Sequence, residues 1–212
     1  MTGTPARALV RLTLLVVLGL PTGLRAQSPQ DLVDRAELAF TDGRLDDAVA
    51  LFDKLAALVP EAAPGLWQRG IALYELGRYR ECAAQFLSYY LVDPTDLENA
   101  SWLLLCSARA GSLADAQAKA VEAGPDPRIM RREIYDTLRG RATPEMLVEH
   151  AMKTVDVAHF YAYLYGGLLR EAQGNRQGAI DYLTLAASDR YRDHGGFMNI
   201  VARVHLARLG TR

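Results

Sequence analysis

The residues with the widest chemical use in this chain are its four histidines, which could act as general bases or as metal ligands. No two of them lie four residues apart on one helix face, and the chain has no HExxH motif. The sequence therefore predicts neither a metal ion nor a catalytic histidine for this set, which comprises His150, His159, His194 and His205.

One acidic residue directly precedes a histidine, and two glycines follow the pair: Asp193, His194, Gly195 and Gly196. A catalytic dyad would need a nucleophile, and the chain has no G-x-S-x-G elbow. We interpret the pair as a turn and an N-terminal helix cap. The chain is thus predicted to be non-enzymatic and to need no cofactor, while an enzyme with an active site that the sequence hides stays open as an alternative.

The two cysteines, Cys82 and Cys106, lack the CxxC spacing of a zinc or redox motif. An exported chain would meet an oxidising compartment in which they could form a disulfide. The helical register places them on different helix faces, however, and a disulfide requires Cα atoms within about 7 Å. We expect two small buried thiols, with the disulfide as the alternative.

The densest basic segment runs from Arg128 to Arg141 and could bind an acidic partner or lipid head groups. Glu133 and Asp136 interrupt it, and the whole chain has 24 basic and 25 acidic residues, a net charge of -1. We interpret the segment as a solvated helix face. The charge balance predicts no nucleic-acid partner.

Residues 1–26 have the layout of a signal peptide. Arg7 and Arg11 precede an apolar run from Leu12 to Leu20, and Pro21 follows it. The run is much shorter than the roughly 20 residues that span a bilayer. We therefore expect export to the periplasm or secretion, with the mature chain starting near Gln27; anchoring in the membrane by an uncleaved segment is the alternative.

Helical periodicity is almost continuous after residue 30, and no long segment alternates apolar and polar residues as a strand would. The aromatic residues 160–165 point to several faces of one helix, so we expect them in the core. Eleven helices are predicted, at residues 30–42, 45–58, 65–76, 79–92, 95–110, 113–123, 127–139, 143–153, 157–173, 176–188 and 195–209.

An internal repeat of 34 residues predicts the architecture. Ala36, Gly43, Ala48, Phe52 and Pro60 recur as Gly70, Gly77, Cys82, Phe86 and Pro94. This period and these residue types resemble the tetratricopeptide repeat (TPR) over residues 30–94. The resemblance implies an all-α, TPR-type α-solenoid of antiparallel helix pairs in residues 27–212.

Within that domain the repeats differ in clarity. Residues 30–60 and 65–94 are clear repeats, 95–126 is a degenerate repeat, and 127–153 is an irregular helix pair. A last repeat covers 157–188, where Gly166 and Gly167 are helix-packing positions. The helix at 195–209 is predicted to cap the stack.

A narrower resemblance is to NlpI-type bacterial envelope lipoproteins. It rests on Arg69 to Tyr74, Asp93 to Asp96, Trp102-Leu103 and the segment 160–187. It implies a non-enzymatic periplasmic adaptor that docks envelope proteases and cell-wall hydrolases. The chain departs from that family by lacking the lipid-attachment cysteine.

The TPR register also implies a concave groove that binds a peptide or a partner helix. Its floor would be apolar and aromatic, formed by Phe40, Trp67, Ile71, Tyr74 and Leu105, and the predicted lining also includes Ser101 and Arg109. Burial of this floor by later helices is the alternative. The sequence thus predicts a protein–protein scaffold or adaptor of the bacterial cell envelope, with a structural subunit of an envelope assembly as the alternative.

Overall fold

The protein is described by a computed structural model that covers residues 28–210, so the predicted signal peptide at 1–26 lies outside the described residues. This part of the chain is all-helical and contains no strand. Its eleven α-helices are α1 (Pro29–Thr41), α2 (Leu45–Leu58), α3 (Trp67–Glu75), α4 (Tyr79–Tyr90), α5 (Leu97–Ala110), α6 (Leu113–Ala118), α7 (Arg131–Leu138), α8 (Pro144–Ala151), α9 (Asp156–Ala172), α10 (Arg176–Ala186) and α11 (Phe197–Gly210).

The eleven predicted helices are all present, with differences at their ends. A short 3-10 helix, Pro60–Gly65, precedes α3 and was not predicted. Helix α7 begins at Arg131, four residues later than predicted, because Met130 has a left-handed backbone (φ 66°) that interrupts the helical path. Helix α6 ends at Ala118, five residues before its predicted end.

The turns within several helix pairs share one glycine-based geometry. Gly43, Gly77 and Gly174 each have φ between 73° and 76°, in the left-handed region that glycine enters without a Cβ clash. The residue after each glycine donates its backbone N–H to a carbonyl five residues earlier, as in a Schellman cap. The predicted role of Gly43 and Gly77 at the end of their helices is confirmed.

The third predicted repeat departs from this geometry. Gly111 has φ of -144°, outside the left-handed region. Gly140, in the segment predicted to lack the pattern, instead has φ of 80° and the same backbone cap, with Arg141 N donating to Asp136 O. Gly140 precedes Gly174 by 34 residues. The glycine turn therefore recurs with the same period, but at positions offset from those that Gly43 and Gly77 predict.

Small residues let the helices of a pair approach closely. A Cβ built on Gly70 would lie 2.5 Å from the ring of Phe86, and one built on Gly167 would lie 2.8 Å from Leu183. Phe52 and Phe86 are both buried, as predicted. In both pairs the glycine and its large partner are 16 residues apart in the sequence.

The last helix contacts the first helices of the chain as well as its neighbour in sequence. Helix α11 packs against α10, and it also contacts α1 and α3. A capping helix was predicted to cover only the last repeat. The observed helix therefore joins the two ends of the helical sequence. None of the helices in residues 28–210 is both long and apolar enough to span a membrane.

Candidate functional site

Helices α9 and α11 pack against α1, α3 and α5, over residues that were predicted to line an open groove. The ring of Phe197 on α11 lies 5.1 Å from that of Phe40 and 5.4 Å from that of Trp67, centroid to centroid. Further along, the ring of His205 lies 5.8 Å from that of Tyr74. Apolar burial against the first helices holds α11 in place.

Five of the seven predicted groove residues are consequently buried in the core. They are Phe40, Ile71, Tyr74, Ser101 and Leu105, each no more than 1% exposed. The prediction that these residues form an open floor is wrong, and the alternative of burial by later helices describes what is observed. The repeat pattern predicts which side of each helix is concave but says nothing about which distant helix lies on it.

The other two predicted groove residues have different positions. Arg109 is partly buried, with its guanidinium 3.2 Å from a carboxylate oxygen of Glu171 and 2.8 Å from the hydroxyl of Tyr79. It belongs to a buried network that joins helices. Trp67 is also partly exposed, and it lines a cavity.

The network around Arg109 centres on a buried histidine. His205 Nδ1 lies 2.9 Å from Glu75, and its Nε2 lies 3.1 Å from Glu171. The hydroxyl of Tyr74 donates to Glu171 at 3.1 Å. These contacts connect α3, α9 and α11 through side chains that are almost inaccessible to solvent, and the partly buried Arg109 adds α5.

Burial and charge act in opposite directions on the titration of this network. Burial would lower the pKa of His205, but the carboxylates of Glu75 and Glu171 outweigh it and raise that pKa to about 9. Burial likewise would raise the pKa of Glu171, but hydrogen bonding and charge from His205, with Arg109, leave it lowered. The histidine is therefore a charged structural residue at neutral pH.

Cys82 and Cys106 form a disulfide, which corrects the expectation of two free thiols. Their Cα atoms are 5.7 Å apart, within the usual range for a disulfide. The prediction failed because it placed Cys82 against α3 only. Helix α4 also packs against α5, the next helix in the chain, and this is where Cys106 lies.

A cavity of about 370 Å³ remains open where α11 begins. Its walls come from the N-terminal parts of α3, α5, α7 and α11, together with α4 and α9. Aromatic side chains dominate the lining: Trp67, Phe86, Tyr89, Trp102, Tyr161 and Phe197. Phe86 and Trp102 stack with their ring centroids 5.9 Å apart and their planes 14° from parallel.

Asp96 positions the part of α5 that lines this cavity. Its side chain caps the helix by accepting the backbone N–H groups of Glu98 and Asn99 at 2.9 and 3.0 Å. The side chain of Asn99 then donates to the carbonyl of Phe86 at 3.1 Å. The capped start of α5 thus fixes the positions of the lining residues Glu98, Asn99 and Phe86.

Polar atoms on three buried lining residues have no hydrogen-bond partner within residues 28–210. They are Asn99 Oδ1, Trp102 Nε1 and Arg131 Nε. Each residue is no more than 5% exposed. An unpartnered buried polar atom is unusual in a folded protein, and here an acceptor and two donors lie on residues that line one cavity.

Of the five arginines on the predicted basic face, Arg131 is buried, which corrects the interpretation as a solvated face for that residue; the other four keep some exposure to solvent. Arg131 is buried, lies 2.9 Å from Glu98 and stacks over the ring of Tyr161, at 4.0 Å from its centroid. Arg128 forms ion pairs with Asp96 and Asp126. Arg132, Arg139 and Arg141 also bond to carbonyl or carboxylate groups.

The sequence analysis missed most residues of the cavity. Phe160, Tyr161 and Tyr165 are buried, as expected for core, yet Tyr161 also forms part of the wall. Asn99, Phe197 and Met198 were not identified as site residues. Asn99 lies three residues before Trp102 on one face of α5, and a polar residue at that spacing from a large aromatic one is a signal that could have drawn attention to this position.

No arrangement of three or more histidine, cysteine, aspartate or glutamate side chains in the described part of the chain is suited to hold a metal ion. Asp193 and His194 lie in a turn before α11, where the backbone N–H of His194 donates to Tyr191 O. The chain matches no protein-family model and no curated protein sequence.

Proposed function

We propose that this protein is an exported, non-catalytic scaffold or adaptor of the bacterial cell envelope, built from TPR-type helix pairs, and that it binds a peptide or helix of a partner protein. The observation that carries the proposal is the aromatic cavity at the start of α11, with Trp67 at its mouth. Tryptophan and tyrosine supply a disproportionate share of the binding energy at protein interfaces.

The TPR-type assignment is supported by the recurrence of small and large residues at fixed positions. Gly70 against Phe86 and Gly167 against Leu183 repeat one packing contact, and Gly43, Gly77 and Gly174 repeat one turn. Such repetition is typical of helical repeat proteins, which commonly act as binding scaffolds. Helix α11, folded onto the concave side, narrows the binding surface to the cavity.

Export is supported by the disulfide between Cys82 and Cys106, because such bonds persist in oxidising compartments such as the bacterial periplasm. The layout of residues 1–26, described above, supports the same localisation. By the family resemblance, the partners would be envelope proteases or cell-wall hydrolases.

Affinity capture from a bacterial envelope extract tests the function. Mature wild-type chain and the Trp67→Ala variant would be compared by quantitative mass spectrometry. We expect a small set of envelope proteins to be enriched by the wild type and reduced at least tenfold by the variant. No enrichment above empty resin would refute the adaptor function.

A structural subunit is the second candidate, favoured by an exposed apolar patch at the end of α4. Leu87, Leu91 and Val92 are 45%, 75% and 68% exposed. Leu91→Ala therefore serves as the companion variant in the capture experiment. Capture that depends on Leu91 and not on Trp67 would favour assembly through this patch.

A further inference from the structure

We propose that the cavity at the start of α11 recognises a neutral amide next to an aromatic or large apolar group, supplied as a main-chain amide and side chain of a partner peptide. This inference rests on the proposed function and specifies the chemistry of its site. It is carried by the unpartnered polar atoms, the charge pairing and the ring positions around the cavity.

The first step is the hydrogen-bonding inventory. Asn99 Nδ2 is used by the carbonyl of Phe86, which leaves Oδ1 as a buried acceptor with no partner in residues 28–210. Trp102 Nε1 and Arg131 Nε are buried donors in the same condition. An amide carries one N–H and one carbonyl, the complements of an acceptor and of a donor, so its chemistry matches both kinds of atom.

The second step is the charge. Glu98 lies 2.9 Å from Arg131 and 3.6 Å from Arg128, and Arg128 also pairs with Asp96 and Asp126. Two arginines are therefore matched by three carboxylates. A free carboxylate or phosphate would find no unmatched positive charge and would face the acceptor Asn99 Oδ1. The charge of the site therefore disfavours an anionic ligand.

The third step is shape. The rings of Trp67 and Phe197 meet edge to face, with their centroids 5.4 Å apart, and both are partly exposed at the cavity. Such an edge is suited to another aromatic ring. A volume of about 370 Å³ lies at the lower end of the range for ligand sites, about 300–1,000 Å³, so the cavity holds a short segment.

The chain contains two tryptophans, Trp67 and Trp102, and both line this cavity. Their indole N–H cross-peaks in a ¹⁵N-edited NMR spectrum therefore report directly on it. The probes are 3-phenylpropanamide, its methyl ester analogue methyl 3-phenylpropanoate, and the 3-phenylpropanoate anion. They share a phenyl ring and a carbonyl but differ in the N–H donor and in charge.

We expect the amide to shift the Trp102 indole cross-peak saturably, with a Kd on the order of 1 mM, as is usual for a fragment of this size. The ester and the anion should each bind at least about fivefold more weakly, because one lacks the N–H and the other is charged. Equal or tighter binding of the anion, or no shift with the amide at 10-fold this concentration (about 10 mM), would overturn the proposal.

Two buried asparagines provide a matched pair of variants. Asn99 and Asn199 each donate Nδ2 to a backbone carbonyl, but Asn199 Oδ1 already accepts from Arg203 and Asn199 does not line the cavity. Asn99→Leu should weaken amide binding about tenfold, and Asn199→Leu should leave it within twofold. Equal loss in both variants would contradict recognition by Asn99.

Trp102→Phe keeps an aromatic ring while removing the donor together with part of the indole ring system, so it replaces Asn99→Leu if that variant does not fold. Trp67 then reports binding. The capped tripeptide N-acetyl-Gly-Phe-Gly-amide tests the source of the amide. It should bind more tightly than the fragment, and failure to bind would overturn the peptide assignment. Partner capture without amide binding would refute this inference and leave the scaffold function standing. Amide binding without any captured partner would refute the scaffold function and leave the amide-binding site standing.

Discussion

The imidazole of His205 lies 2.9 Å from the carboxylate of Glu75, although 130 residues separate them in the chain. Glu171 lies on the other side of the ring, with a carboxylate oxygen 3.1 Å from Nε2. The last helix is thus attached to the third and ninth helices by buried opposite charges, in addition to its aromatic contacts with the first and third helices.

This contact predicts a loss of stability at alkaline pH. The pKa of His205 is raised to about 9 in the folded state, whereas an unfolded histidine titrates near 6.5. The contribution is therefore complete below about pH 6.5 and disappears as the pH rises through 9, on the order of 3 kcal/mol in total. Urea unfolding between pH 6 and pH 10 measures it.

His205→Gln should be less stable than the wild type at pH 6 and should lose most of the alkaline pH dependence. His150 is exposed and 3.9 Å from Glu133, so His150→Gln is the matched control and should unfold like the wild type. A wild-type free energy of unfolding that stays constant from pH 6.5 to pH 9 would contradict the charged state assigned to His205.

The disulfide between α4 and α5 should contribute about 3 kcal/mol, because it closes a loop of 24 residues in the unfolded chain. Replacing both Cys82 and Cys106 with alanine should lower the thermal midpoint, and a reducing agent should lower that of the wild type by a similar amount. The reducing agent should have no effect on the double variant. Detection of two reactive thiols in non-reduced, denatured wild-type protein would show that the bond is absent.

Gly70→Ala should destabilise the protein by about 1 to 3 kcal/mol, since the added Cβ would lie 2.5 Å from the ring of Phe86. This sign is opposite to the usual effect of replacing glycine within a helix. Gly65→Ala is the control, because a Cβ there meets no atom within 4 Å. Chemical denaturation measures both, and a stabilised Gly70→Ala would place Phe86 elsewhere.

Phe86→Ala should cost about 3 to 5 kcal/mol through lost burial and the cavity left behind. When Phe86→Ala is combined with Gly70→Ala, the two losses of stability should be less than additive, because the alanine methyl at position 70 enters space that Phe86 vacates. A double-mutant cycle in urea measures the coupling. Strict additivity would indicate that the two residues do not touch.

Trp67 and Tyr74 should behave differently when replaced, although the repeat register placed both in one groove. Tyr74 is 1% exposed and donates to Glu171, so Tyr74→Ala should cost about 3 to 5 kcal/mol. Trp67 is partly exposed, so Trp67→Ala should lower the thermal midpoint less and act mainly on partner binding. Comparable midpoints for the two variants would contradict this distinction.

The helices were predictable because their signals are local. Ala36, Gly43 and Phe52 recur with a fixed period, and each performs a task that depends on its own residue type: close approach, a left-handed turn and filling of the inter-helix space. Even the irregular segment follows this rule, since Gly140 forms the same turn as Gly174. A search for 34-residue spacing backward from Gly174 would have found it.

The site was predicted less well because it depends on contacts between distant parts of the chain. The position of Phe197 against Phe40 and that of His205 against Glu75 are set by how α11 crosses the earlier helices, which no local pattern encodes. The pairing of Cys82 with Cys106 failed for a related reason. Helical register fixes a direction for each side chain, but the neighbour in that direction depends on how successive pairs stack.

The contact of α11 with both α10 and α1 changes how the molecule should unfold. An open array of helical repeats behaves as a line of nearest neighbours, so its terminal units fray first and partly folded states are populated. Within residues 28–210, the first and last helices pack against each other, so unfolding should not start at either of them alone. Amide protons of α1 and α11 should therefore exchange with solvent as slowly as those of the central helices, and one global opening should release them all.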